Sequence, residues 1–297
     1  MGYGTEGSES SRAGEGAGAT GGLPRGLAAR SRGIWAFTVD IDLLRRLASG
    51  RFDWVAVDAQ HGSLDRSAVH AVGRALSDTG AHLVVRVPSV DPVWIGAALD
   101  AGAVAVVVPS VTTTADAVLA ASASRYPPLG ERSWGQFAPQ WGGTALDPHV
   151  ANSAVRCLVM VETAGALADV DAIAGTPGVD GLFVGPFDLA LALGTTVDAL
   201  LDDRSPGSPL GEVVAAAERH GILVAAFAGT PANARRLRAH GIHCLAVTTD
   251  LAVVDEGVRA LLESDDDTAP AAPPRHPGRT RPGDSPRQGE ADHEGWP

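Results

Sequence analysis

The sequence predicts an α/β fold, a single (β/α)8 TIM barrel between two disordered tails, on three observations. Eight short apolar runs alternate with amphipathic or alanine-rich segments over residues 32–264. The runs lack polar–apolar alternation, as strands covered on both faces should. No Gly-x-Gly-x-x-Gly follows the first run, which argues against an open dinucleotide-binding sheet.

Taken in order, residues 1–31 form the first tail. Nine of the first 26 residues are glycine, mixed with Ser, Glu and Ala, so the segment buries too little apolar surface to offset its ordering entropy. Strands are expected at 34–39, 54–60, 82–87, 103–111, 156–163, 179–186, 222–229 and 243–250. Helices are expected at 41–48, 65–78, 91–101, 114–124, 166–174, 187–193 together with 211–220, 231–240 and 251–262. Several of these helices open on Asp, Thr or Pro and end near Gly, the usual start and stop chemistry. After three consecutive aspartates, Asp265 to Asp267, a Pro, Arg and Gly mixture fills the second tail, 265–297.

Composition excludes several classes of function. The formal charge of −12, without a basic cluster, argues against a nucleic-acid partner. The longest apolar runs, such as 103–109, fall far short of the ~20 residues that cross a bilayer, and the N-terminus lacks a signal-peptide core, so no membrane association and a cytoplasmic location are expected. Cys157 and Cys244 are too few for a disulfide framework and sit in apolar runs, where buried free thiols belong. All 23 residues in the Lys+Arg count are arginine. A chain without lysine cannot form a Schiff base, so neither a lysine imine nor a pyridoxal phosphate linkage is available.

In a barrel the active site lies at the C-terminal ends of the strands, which sorts the polar residues. The strand over 54–60 ends in Asp58 and Gln60, followed by His61 and Gly62. Of the nine histidines only His61 lies just past a strand's C-terminal end. Carboxylates at that end are Asp58, Glu162, Asp188 and Asp250. Glu162 and Asp188 suit a hard divalent cation that keeps water and substrate in its other positions, but they fit helix N-caps as well. Arg86, in the apolar VVRVP, needs an anion to face. Asp100, in ALDAG, also reads as an ordinary solvated helix residue. Gly185, Pro186 and Phe187 set backbone amides at a helix start, a site for a carboxylate or phosphate.

Together, VDAQHG (57–62), VVRV with DP and ALDAGA (84–103), RYPPLGERSWG (125–135), VET (161–163) and GVDGLFVGPFDLALALG (178–194) resemble the HpcH/HpaI aldolases, class II metal-dependent pyruvate aldolases of the phosphoenolpyruvate/pyruvate barrel superfamily. The resemblance covers about 33–262 and neither tail. It implies Glu162 and Asp188 as ligands of a divalent ion such as Mg²⁺, Mn²⁺ or Co²⁺, His61 as catalytic histidine, Asp100 as the acid paired with it, and Arg86 facing an enolate. It further implies a pyruvate carboxylate site on the backbone of Gly185 to Asp188, pocket walls from Trp35 and Phe183, and a substrate-side contact from Arg132. The implied activity is cleavage of a 4-hydroxy-2-oxo acid to pyruvate and an aldehyde, or the reverse, through a metal-bound pyruvate enolate. The implied assembly is a homo-oligomer, a hexamer built as a trimer of dimers that exchange the last helix.

Two positions depart from the family pattern. Gln60 stands where Glu often precedes the histidine, and Met160 stands where Gln is common two residues before the metal-binding Glu. Strand parity puts Met160 beneath Glu162, and a thioether cannot replace an amide's hydrogen bonds. Two rival readings are a citrate lyase β-like acyl-CoA lyase, which requires a basic groove for the CoA phosphates, and a binding barrel with impaired catalysis.

Overall fold

The computed structural model of the chain describes residues 27–142 and 144–266. The expected tails over 1–31 and 265–297 lie outside the described residues except for 27–31 and 265–266.

The elements follow the βα alternation. In order they are β1 (Ser31–Ala36), α1 (Ile41–Ala48), β2 (Trp54–Asp58), α2 (Arg66–Leu76), β3 (His82–Arg86), α3 (Pro92–Asp100), β4 (Ala105–Val108), α4 (Thr114–Ala123), a 3-10 turn (Ala138–Trp141) and α5 (Pro148–Ala154). The second half runs β5 (Arg156–Val161), α6 (Ala164–Ala168), α7 (Val170–Ala174), β6 (Gly181–Val184), α8 (Pro186–Ala192), α9 (Val197–Asp202), α10 (Pro209–His220), β7 (Leu223–Phe227), α11 (Pro231–Ala239), β8 (Cys244–Thr249) and α12 (Asp250–Asp266). All strand pairs are parallel and follow sequence order, and β1 pairs with β8 to close the barrel. Helix starts are chemically marked: Asp40, Asp65, Asp91, Thr113, Thr163 and Thr230 each accept a backbone N–H of the first turn.

The strands end earlier than the apolar runs suggest. Residues such as 59–60, 109–111, 162–163 and 185 have left the sheet to form the rim turns. The short α5 and α9, seven and six residues long, carry too little periodicity to be read from sequence. No helix among the described residues is long and apolar enough to cross a membrane.

Two concentric cores result. The outer one lies between strands and helices and includes Ile34, Val55, Val85, Val106, Cys157, Val159 and Leu182. The inner one fills the barrel with residues of opposite strand parity, Trp35, Trp54, Ala56, Val84, Val107, Leu158, Met160, Phe183, Ala225 and Cys244. Burial pushes the thiols of Cys157 and Cys244 up to about 11 and about 12, so both are inert, as their apolar runs suggest.

Large and small residues interdigitate in the inner core. A Cβ built on Gly33 would fall inside the Trp54 indole, so glycine makes room for that ring. The Trp54 Nε1–H donates to Ser31 Oγ at 3.1 Å, which fixes the ring further. Gly33→Ala should therefore cost about 1–3 kcal/mol by overpacking. Thermal unfolding checks this, and an unchanged melting temperature would mean that the indole yields.

Candidate active site

The C-terminal rim is built around Asp58. Strand parity turns it inward after Trp54 and Ala56, and it is fully buried at the last position of β2. Arg86, paired with it across the β2–β3 ladder, donates from Nε to Asp58 Oδ1 at 2.9 Å and from Nη2 to Oδ2. Trp35 Nε1–H donates to Oδ2 at 3.1 Å, and the amides of Gln60 and His61 donate to Oδ1 at 2.9 and 3.1 Å. Burial pushes the Asp58 carboxyl up, but the hydrogen bonds and charge of Arg86 outweigh this and hold it below its ordinary value. Arg86 is itself buried, with its guanidinium carbon 5.2 Å from the Trp35 ring centroid. Asp58 thus fixes both Arg86 and the turn that presents His61, whose side chain is exposed.

Glu162 follows β5 on the same inward face as Met160, and both are buried. Its Oε1 accepts the Ser110 amide at 2.6 Å, and Ser110 adopts the left-handed φ of 57° to deliver it. Burial raises the Glu162 carboxyl above its ordinary value, the Ser110 amide opposes this, and the nearby negative charge of Asp188 adds to it. Arg86 and His61 also act on Glu162, so all four groups share one electrostatic environment. Gly185 permits this crowding, since a Cβ there would stand 2.9 Å from Met160 Cε and 3.1 Å from Glu162 Oε2.

The N-cap alternative for the two carboxylates does not hold. Thr163 caps α6, and α8 starts from Gly185 without a side-chain cap. The first turn of α8 therefore keeps free amides. Gly185 N–H is spent on the Val161 carbonyl and Pro186 has none, so Phe187 and Asp188 offer the remaining donors.

His61, Arg86, Trp35, Phe183, Gly185, Phe187 and Asp188 line one cavity of about 170 Å³, joined by Phe37, Met160 and Phe227. The donor set fits a divalent cation: one buried carboxylate with raised pKa lies beside a second, and a shared cation would relieve their repulsion. Among the described residues no cluster of three or more His, Cys, Asp or Glu forms a complete metal cage, so water and substrate would supply the other positions.

Comparison with known proteins shows the family. Residues 32–256 match the HpcH/HpaI aldolase/citrate lyase family. The chain belongs to this family. It is 32% identical to a 2-dehydro-3,6-dideoxy-6-sulfogluconate aldolase of Pseudomonas putida, across 77% of this chain and 90% of that one. It is 37% identical to a 4-hydroxy-2-oxovalerate aldolase of Novosphingobium aromaticivorans, across 64% and 74% respectively. A solved HpcH/HpaI aldolase/citrate lyase family protein from Burkholderia cenocepacia superposes with a TM-score of 0.71 at 33% identity, across 80% of this chain and 95% of that one. The protein is thus an aldolase, a carbon–carbon lyase of a family that uses divalent metal ions.

Two residues expected in the HpcH/HpaI site lie elsewhere in the chain. Asp100 ends α3, and because a barrel helix runs back against its strand, that end lies at the N-terminal face, away from His61. There Arg132 Nη2 donates to Asp100 Oδ1 at 2.7 Å, with the Arg132 guanidinium 4.5 Å from the Tyr126 ring centroid. Burial raises the Asp100 carboxyl even so, with Arg132 opposing. Within one chain, therefore, Asp100 does not orient His61 and Arg132 does not line its cavity.

Other contributors escaped the sequence reading: Ser110, Phe37, Phe227 and the structural role of Asp58. Asp58 left a signal, a carboxylate closing a wholly apolar run, whereas a left-handed serine leaves none.

Asp58→Asn should destabilise the protein by about 3–5 kcal/mol, because Arg86 loses a buried counter-charge. The folded carboxyl titrates below its ordinary value near 3.9, so its stabilisation is present above that pH and lost on acidification. The stability gap between wild type and variant should accordingly shrink below about pH 4. Denaturant unfolding across pH measures it, and a gap independent of pH would contradict the assignment.

Proposed function

We propose that this aldolase cleaves 4-hydroxy-2-oxo acids to pyruvate and an aldehyde, and runs the reverse condensation. The observation that carries the reading is the buried Glu162, packed against Gly185 at the edge of the cavity that Asp188, His61 and Arg86 line. Glu162 and Asp188 would hold the divalent ion, with Mg²⁺, Mn²⁺ and Co²⁺ the candidates. When bound, that ion supplies the Lewis acidity that a chain without lysine cannot obtain from an imine.

The remaining steps belong to the protein. The amides of Phe187 and Asp188 receive the 2-oxo acid's carboxylate, aided by the positive end of α8. His61 accepts the proton of the C4 hydroxyl, the C3–C4 bond breaks, and the aldehyde leaves as its electron pair passes to the pyruvate enolate. Arg86, with two nitrogens committed to Asp58, turns its third toward the oxygen on which charge develops. Proton return to C3 completes pyruvate. Met160 beneath Glu162 withholds the hydrogen bonds that an amide would supply, which slows turnover on the order of 10–100-fold relative to a glutamine there.

If Asp100 pairs with His61 here, as the family resemblance implies, it does so from a second copy of the chain. A homo-oligomer, in the form of a hexamer or a trimer of dimers, satisfies this and also covers the exposed Leu251, Val254, Val258, Leu261 and Leu262 of α12. The partners are then small oxo acids and aldehydes, and the protein works in the cytoplasm without nucleic acid or membrane.

Exhaustive chelation should abolish pyruvate release, and added Mn²⁺, Mg²⁺ or Co²⁺ should restore it. Glu162→Gln and Asp188→Asn should lose that metal response; full activity after chelation would refute the metal reading.

Decarboxylation of oxaloacetate separates His61 from Arg86, because it forms the same enolate without a hydroxyl proton to remove. Arg86→Ala should depress both reactions on the order of 10²–10³-fold. His61→Ala should lose aldol cleavage by about 10²–10⁴-fold while retaining much of the decarboxylation. Equal loss of both reactions in His61→Ala, with the fold intact, would remove His61 from the role of base.

A further inference from the structure

We infer that the aldehyde fragment accepted by this site is apolar, an aliphatic or aromatic aldehyde rather than one bearing a carboxylate or several hydroxyls. The inference rests on the pyruvate-aldolase reading above and goes beyond it, to the half of the substrate that this reading leaves unspecified.

Strand order divides the rim. β5 and β6 lead into Glu162 and Asp188, and β2 and β3 into His61 and Arg86, so the 2-oxo acid spans from one pair to the other. Carbons beyond C4 start beside His61 and must leave along an arc of the rim. The arc of β7, β8 and β1 is the one that continues the cavity, through Phe227, Trp35 and Phe37. Phe187 joins it from α8, its ring centroid 5.9 Å from that of Phe227, and Phe227 lies 5.4 Å from Trp35.

This arc puts no charged side chain into the cavity lining. Of the acidic groups on its loops, Asp40 caps α1 outside that lining and Asp250, at the end of β8, is fully buried. It accepts the Phe37 amide at 3.2 Å, the Thr38 amide at 3.0 Å, the Thr38 hydroxyl at 2.7 Å and the Leu251 amide at 2.9 Å. Asp250 therefore holds Phe37 in place. Arg86 is neutralised by Asp58, and the Ser110 amide is taken by Glu162. A carboxylate or polyol tail entering here would lose its water without gaining a partner, whereas an alkyl or aryl tail would bury apolar surface against four rings.

The test uses the full-length protein with Mn²⁺ in two assays. Oxaloacetate decarboxylation reads the pyruvate half alone. Condensation of pyruvate with hexanal, benzaldehyde, succinic semialdehyde or glyceraldehyde reads the aldehyde half. The apolar aldehydes should exceed the other two in kcat/KM on the order of 10–100-fold. Phe227→Arg, or the more exposed Phe187→Arg should the first not fold, should shift the ratio toward succinic semialdehyde by about tenfold. Decarboxylation accompanied by equal or greater use of the charged or polyhydroxylated aldehydes would overturn this inference and leave the pyruvate reading standing. Absence of both reactions would overturn the two together.

Discussion

A buried carboxylate with five hydrogen-bond donors is the constraint on which this site depends. Removing an ion of this size from water costs several kcal/mol, and the cost is offset only when its oxygens are fully engaged. Asp58 meets the condition with Trp35 from β1, two nitrogens of Arg86 from β3, and the amides of Gln60 and His61 from its own turn. Three consecutive strands and the histidine loop are locked in one arrangement. With both oxygens occupied, Asp58 is a positioning group rather than a base, and its location dictates where a base can stand.

The barrel interior sets the depth of the site. Trp35, Met160 and Phe183 close the barrel beneath the rim, with Trp35 and Phe183 ring centroids 5.5 Å apart. Polar chemistry begins two residues beyond Ala56, Val84 and Met160, at Asp58, Arg86 and Glu162, by the same inward parity. A shift of one residue in any of these strands would turn its functional side chain outward. Packing of the floor and placement of the candidate site groups are thus a single requirement.

Much of this was legible in the sequence. Continuous apolar runs, marked helix starts and the absence of a dinucleotide turn suffice for the barrel, and position at a strand end narrows the candidates to His61, Arg86, Asp58, Glu162, Asp188 and Asp250, among which the family resemblance chooses. What was not legible depends on direction and on backbone conformation. Asp100 and Arg132 sit in motifs as distinctive as the others, but a motif does not reveal that Asp100 closes its helix, with Arg132 bonded to it from a loop, at the opposite face. Ser110 serves through an amide presented at positive φ, and such a role has no side-chain signature. Asp250 looked like one more carboxylate at the functional end, and only its four donors identify it as structural.

The two cysteines give this molecule a built-in means of following its own unfolding. Cys244 lies in the inner core and Cys157 in the outer one, both sheltered from solvent and neither engaged in chemistry. Because they are the only thiols in the sequence, alkylation at each can occur only when its own layer opens. Labelling rates resolved by mass spectrometry would then show whether the shell of helices loosens before the barrel interior does, without an introduced probe.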